Sequence, residues 1–222
     1  MPVLPRIPVT DTMTKLSDLV ARTRLLLSEP VEDMWTDVEI EATLNEGAIE
    51  LVTDTQALPR AFIGFETVQG APLVRLPDDI ARLVEVHISD GTKLGYLTTV
   101  EYTVLKDASG KPISFCSDFL DDSGRGVLAL YPTPDATYVL EGSYFATPET
   151  MTSAVGPTWH RKYHFLPCQY AAAKLLPRDH REVEASLYAD QFDQGKTSYK
   201  KWLAARAPYR EMTFAQMPKG EM

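Results

Sequence analysis

A chain of 222 residues with 44% hydrophobic and 24% charged side chains is ordinary globular material, enough for one elaborated domain or two small ones. Its formal charge of −9 is uneven: 11 Lys and Arg meet 24 Asp and Glu through residue 157, against 11 and 7 in the remaining 65 residues. This acidity excludes a protein that grips nucleic acid along its surface, two cysteines exclude a disulfide scaffold, and no apolar run approaches the roughly 18 residues of a membrane span.

The N-terminal MPVLPRIPVTDT places prolines where a signal peptide requires an apolar helix, so residues 1–11 are expected to form an extended arm with no secretion signal. From Thr12 to Ser28, Leu16, Leu19, Val20, Thr23, Leu26 and Leu27 recur at helical spacing. Glu29-Pro30 stops that helix, because a proline pushes the residue before it out of the α region. A second helix then starts at Thr36. Its hydroxyl can accept from an early backbone N–H while Glu39 reaches back to the cap's own N–H. Along WTDVEIEATLNEGAIELV the acids Glu39, Glu46, Glu50 and Asp54 share one narrow face. Val38, Ile40, Ala42, Leu44, Ala48, Ile49, Leu51 and Val52 spread over more than half of the rest. One core uses an apolar stripe of only about 100°, so the question is what covers this helix on its second side. The short connection between the two helices predicts a hairpin over residues 1–58.

After Pro59 the texture changes to short strands. AFIGFETVQGAPLVRL reads as two strands about Gln69-Gly70, and RLVEVHISDGTKLGYLT as a hairpin turning at Asp90-Gly91. In that hairpin Val84, Val86 and Ile88 are expected on one side, with Glu85 and His87 on the other. ISFCSDFL, GVLALYP and TYVLEGSYF add strands separated by the turn-rich DDSGRG and TPDA. The composition of TTVEYTVLKD fits either a short helix or a turn. Short strands with no long helix between them predict an antiparallel sheet or small barrel over 59–147.

Past Pro148 the helical period returns over 148–207. WHRKYHFLPCQYAAAKLL carries Pro167, which implies a kink or a new first turn. Asp179 and Glu182 form a second capping-box pattern ahead of a helix with Ala185, Tyr188, Phe192, Tyr199 and Trp202 on one stripe. Residues 208–222 have no period and read as an extended tail. The fold class is therefore α+β: N- and C-terminal helix pairs packed as a bundle, with a β module inserted between them.

One constellation invites chemistry. His160, His164 and Cys168 at i, i+4 and i+8 would share a helix face, and imidazole and thiolate are good zinc ligands. Pro167 disturbs that helix where the third ligand must align, no HExxH glutamate supplies a base, and no second CxxC pair closes a structural site. A metal-dependent enzyme is thus an alternative reading, while packing side chains are the ordinary one. GxGxxG, GxxxxGK[ST] and GxSxG patterns do not occur, and Asp121-Asp122-Ser123-Gly124 lacks the spaced ligands of a calcium loop. The expectation is a protein with no catalytic residue, metal or cofactor.

The order WTDVEIEATLNEGAIE, LPDDIARLVEV, YPTPDATYVLEGSYFATPETM, AAAKLL and a Tyr-rich final helix resembles the phage head–tail adaptor proteins over about Lys15 to Ala205. The resemblance implies a structural virion protein at the head–tail neck, assembled in the host cytoplasm. It implies a ring, typically of twelve copies, bound beneath the portal protein and above tail or stopper and nozzle proteins. Genomic DNA would pass through its lumen without sequence-specific binding, and no membrane is involved. Another neck component, a stopper or terminator, is the neighbouring reading. A ring needs heterologous interfaces, and a helix apolar on two sides suits one: Ile40, Glu41, Leu44, Asn45 and Ala48 are the candidate subunit contacts. Similar proteins reach the portal with a C-terminal extension, where Tyr209, Met212, Phe214 and Met217 are the candidate anchors here. The acidic bias of the first 157 residues would give passing DNA a repelling wall.

Overall fold

A computed structural model describes residues 14–29, 34–105 and 108–206. Five α-helices and nine strands, counted among those residues, make the fold α+β. The chain divides into two compact units, Met1–Ala48 with Glu149–Lys196, and Ile49–Pro148 with Thr197–Met222. Two of the helices, α2 and α5, run across the dividing points.

In the first unit, α1 (Leu16–Leu27) begins where the Lys15 amide donates to the Asp18 carboxylate at 2.9 Å. It ends at Ser28 with φ of 60°, a left-handed stop. The predicted start at Thr12 lies outside the described residues. Leu16, Leu19, Val20, Thr23 and Leu27 form the buried stripe, as their spacing requires. This stripe lies against α4 (Leu166–Leu175). The Cys168 thiol donates to the Leu19 carbonyl at 3.5 Å, and small buried Ala171 and Ala172 offer α4 a low surface. Pro167 sits in the first turn of α4, where its missing N–H costs no intrahelical bond. The alternatives of kink and new first turn are thereby decided. Residues Arg161–Tyr163 ahead of it form a 3₁₀ turn rather than α-helix.

The last helix, α5 (Glu182–Ala205), follows a 3₁₀ turn at Leu176–Asp179 and a left-handed His180 with φ of 55°. The expected Asp179–Glu182 capping box does not form, because Asp179 belongs to that preceding turn and faces Arg181 at 3.9 Å. Arg181 instead pairs with Glu184 and donates to the Leu27 carbonyl at 2.8 Å, tying the helix start to the end of α1. Ala185, Phe192 and Tyr199 are buried along the predicted stripe. Gly195, unfavourable by propensity, has a packing reason: a Cβ there would fall 2.3 Å from Cδ2 of Leu166.

The second unit holds the strands. β1 (Pro59–Glu66), β9 (Val139–Ala146) and β3 (Ile80–Ile88) form an antiparallel sheet in the order β1-β9-β3. β2 (Leu73–Arg75), β7 (Gly126–Tyr131), β6 (Ser114–Leu120) and β4 (Gly95–Tyr96) form a second, in which β4 lies parallel to β6. β5 (Ser109–Gly110) and β8 (Thr133–Pro134) make a short parallel pair, so the expected purely antiparallel module is mixed. None of these sheets closes into a barrel among the described residues. Phe62, Val86, Ile88, Phe115, Leu128, Leu130, Leu140 and Tyr144 build the core between the sheets. β7, buried from Val127 through Leu130, reads as the continuous apolar run of a strand covered on both faces.

Two further expectations are corrected. β1 and β2 do not pair about Gln69-Gly70, for β1 joins β9 and β2 joins β7 in different sheets. Val84 leaves the face of Val86 and Ile88, since the register slips between Leu83 and Glu85; Val84 is 52% exposed and Val86 0%. The undecided TTVEYTVLKD contains a helix, α3 (Thr99–Leu105), started by a capping box in which the Thr98 amide and Glu101 carboxylate meet at 2.8 Å. Gly142, central in β9, is required by close approach. A Cβ there would stand 2.4 Å from the Glu85 carbonyl oxygen and 2.5 Å from the Phe62 ring.

Candidate assembly surface

Helix α2 (Asp37–Thr55) begins with the predicted reciprocal cap. The Glu39 amide donates to Thr36 Oγ1 at 3.2 Å, and the Thr36 amide donates to Glu39 Oε2 at 3.1 Å. Arg178 adds a bond to Glu39 Oε1 at 2.9 Å, and these contacts, led by the Thr36 amide, hold the Glu39 carboxyl below its ordinary range.

The two sides of α2 differ. Ile40, Leu44 and Ala48 are 0%, 0% and 1% exposed, enclosed by the chain's own residues. Gly47 lets Tyr170 come close on that side, where a Cβ would meet the ring carbons at 2.9 to 3.0 Å. Asn45 clamps the backbone at Met151: its Nδ2 donates to the Met151 carbonyl at 3.2 Å and its Oδ1 accepts from the Met151 amide at 2.7 Å. That pairing satisfies both backbone groups of Met151. On the opposite side Val38 is 74% exposed and Ala42 lies open beside it. This part of the helix's apolar surface is therefore exposed among the described residues.

Beside this row runs a groove of about 450 Å³ lined by Val20, Ala21, Arg24, Leu25, Asp37 and Glu41. Leu25 is 65% exposed at its edge. Arg24 forms the floor, buried to 7% exposure, and donates to Asp37 Oδ1 through Nε at 3.0 Å and to the Trp35 carbonyl at 3.2 Å. Glu29 completes the join by accepting from the Met34 amide at 2.7 Å. Neither the Arg24 latch nor the Asn45 clamp was foreseen from the sequence. The signal for the first is a lone arginine inside an apolar stripe; nothing local marks the second, whose partner is 106 positions away.

The sequence-predicted ligand set does not assemble into one face. His160 is exposed at the start of the 3₁₀ turn and accepts from the Lys162 amide at 3.3 Å. His164 is buried, with Nδ1 against Thr14 Oγ1 at 2.9 Å and Nε2 against the Trp159 carbonyl at 2.8 Å. Burial is the main reason its pKa falls below the ordinary histidine range. Cys168 is buried in α4, and burial raises its thiol to about 11. The described residues hold no group of three or more His, Cys, Asp or Glu placed to share an ion, and no described helix is long and apolar enough to cross a membrane. Tyr209, Met212, Phe214 and Met217 lie outside the described residues.

A family model described as SU10 adaptor protein matches residues 14–213. No curated protein matches the chain.

Proposed function

The chain belongs to the SU10 adaptor protein family, a family of phage head–tail adaptors, and on that premise we propose that twelve copies form a ring beneath the portal, joining the capsid to the tail while DNA passes through the lumen. The observation that carries the ring is α2, a helix buried on one side and carrying apolar side chains exposed among the described residues on the other. Each copy of a closed ring must offer two different faces to its neighbours. In this reading Val38, Ala42 and Glu41, with the groove over Arg24, meet the next copy. Ile40, Leu44, Asn45 and Ala48 brace that helix from behind, within a bundle made of the N- and C-terminal helices. The segment containing Tyr209, Met212, Phe214 and Met217 contacts the portal, and acids of the first 157 residues line the lumen.

Electron microscopy of purified virions, and of protein mixed with its portal, tests this directly. The expected image is a ring of this chain at the portal's tail-side end. Density for the chain only elsewhere in the virion overturns the assignment in favour of another neck or tail role. A lumen wall lined by Lys and Arg removes the electrostatic part alone.

A further inference from the structure

Two exposed patches of opposite character stand at the two ends of α1, both on the first compact unit. At the C-terminal end, Leu25 and Val38 are exposed beside the groove described above, and the acids Asp37 and Glu41 line it. Asp37 pairs with Arg24 yet its side chain stays 57% exposed, while the Glu41 carboxylate makes no ion pair among the described residues. The groove is therefore apolar with a negative rim. At the other end, His164 meets Thr14 just ahead of α1, and the turn leading into it puts a base and an aromatic ring into solvent. Lys162 is exposed, stands over the Tyr163 ring at 5.5 Å and forms no ion pair among the described residues. Phe165, at the start of α4, is 48% exposed.

Each patch carries what the other lacks. An aromatic anchor in an apolar groove, with charges of opposite sign at its rim, is the arrangement from which interfaces draw affinity and register. Phe165 does not line the groove of its own copy. Leu25 lies nine residues along α1 from Leu16, about 13 Å at the helical rise. One copy thus presents anchor and groove at separate places, as a head-to-tail contact requires. We propose that Phe165 of one copy seats in the α1–α2 groove of the next, against Val20, Ala21, Leu25 and Val38, while Lys162 pairs with Glu41. The occupant is a second copy of this chain, because the complementary charge and the anchor are both its own. This contact rests on the ring reading and names the second face, which that reading leaves unassigned.

Rings assembled on the portal from a mixture of isotopically labelled and unlabelled full-length chains decide it. A zero-length carbodiimide reagent joins a carboxylate to an amine only where the two touch. It is expected to link Glu41 to Lys162 in peptide pairs that combine a labelled with an unlabelled member, read by mass spectrometry. Links confined to pairs of one label place the contact within a single copy and overturn the proposal. A ring lacking this link, or with Lys162 joined to the portal instead, overturns it as well. Charge exchange tests the same pairing independently. Lys162→Glu and Glu41→Lys are each expected to raise the concentration needed for ring assembly about tenfold, and the variant with both substitutions to return it to within about threefold of native. Neither side chain belongs to the buried core, so the melting temperature should hold in all three. Single variants that assemble like the native chain, or a double variant no better than either single, overturn the proposal. A native chain that makes no ring on its portal is a different failure: it removes the ring reading, and this contact with it, before any variant or reagent is used.

Discussion

At the scale of single residues, Asn45 and Cys168 show how a buried polar group constrains this protein. Replacing Asn45 with Ala strips the Met151 amide and carbonyl of partners at 2.7 and 3.2 Å. An unmet backbone group costs about 1–3 kcal/mol, so Asn45→Ala is expected to lower the denaturant midpoint by that equivalent with its slope unchanged. Cys168 carries a pH signature. Its folded thiol titrates near 11 against an ordinary value of 9.0, because burial disfavours the thiolate. A raised folded pKa leaves stability intact below the unfolded value and erodes it as the pH climbs from 9 through 11. Melting temperature followed from pH 8 to 11 checks this; Cys168→Ala should flatten the decline, and at pH 8 the native thiol should resist a disulfide reagent.

At the scale of elements, the caps and close approaches decide where helices begin and how near they come. Thr36→Ala removes both the hydroxyl acceptor for the Glu39 amide and its bond to the Glu39 carboxylate, at a cost of about 1 kcal/mol. Because the Glu39 carboxyl is held below its ordinary range, its contribution is present above that range and is lost on acidification. The difference between Thr36→Ala and the native protein should therefore shrink in acid, which denaturation at neutral and low pH measures. Gly142→Ala belongs to the same scale. The added carbon would strike the Glu85 backbone oxygen at 2.4 Å, and with backbone on one side and a ring on the other the β1-β9-β3 sheet must shift. Loss of about 1–3 kcal/mol or more is expected in thermal unfolding.

At the scale of the whole molecule, two substitutions on one helix separate folding from assembly. Val38 is 74% exposed and Leu44 is 0% exposed, six residues apart along α2. Val38→Arg should leave stability within about 0.5 kcal/mol and abolish ring formation on the portal. Leu44→Asp should unfold the chain, since an isolated charge cannot be carried into that core. Circular dichroism and electron microscopy of both variants read the two outcomes. A Val38→Arg protein that still forms rings would remove α2 from the subunit contact.

The sequence by itself determined what depends on neighbours within a few positions. The Thr36–Glu39 cap, the helical stripes of α1 and α5, the turn at Asp90-Gly91 and the alternation along β9 all arise from side chains one turn or one pleat apart. The family resemblance was legible too, since the order of such segments is itself local information. Tertiary structure decided the rest. Strand partners come from distant residues, so β1 and β2 part company despite the turn between them, and the slip at Val84 reflects the fit of β3 against β9. His160, His164 and Cys168 share a face only if the backbone is helical throughout, and the 3₁₀ turn at Arg161–Tyr163 separates them. Which side of α2 one copy covers was equally invisible: a helical wheel counts apolar side chains but does not say which of them meet α4's Tyr170, the Met151 backbone or open solvent. Burial is a property of what packs against a residue from far along the chain, and the local pattern carries no record of it.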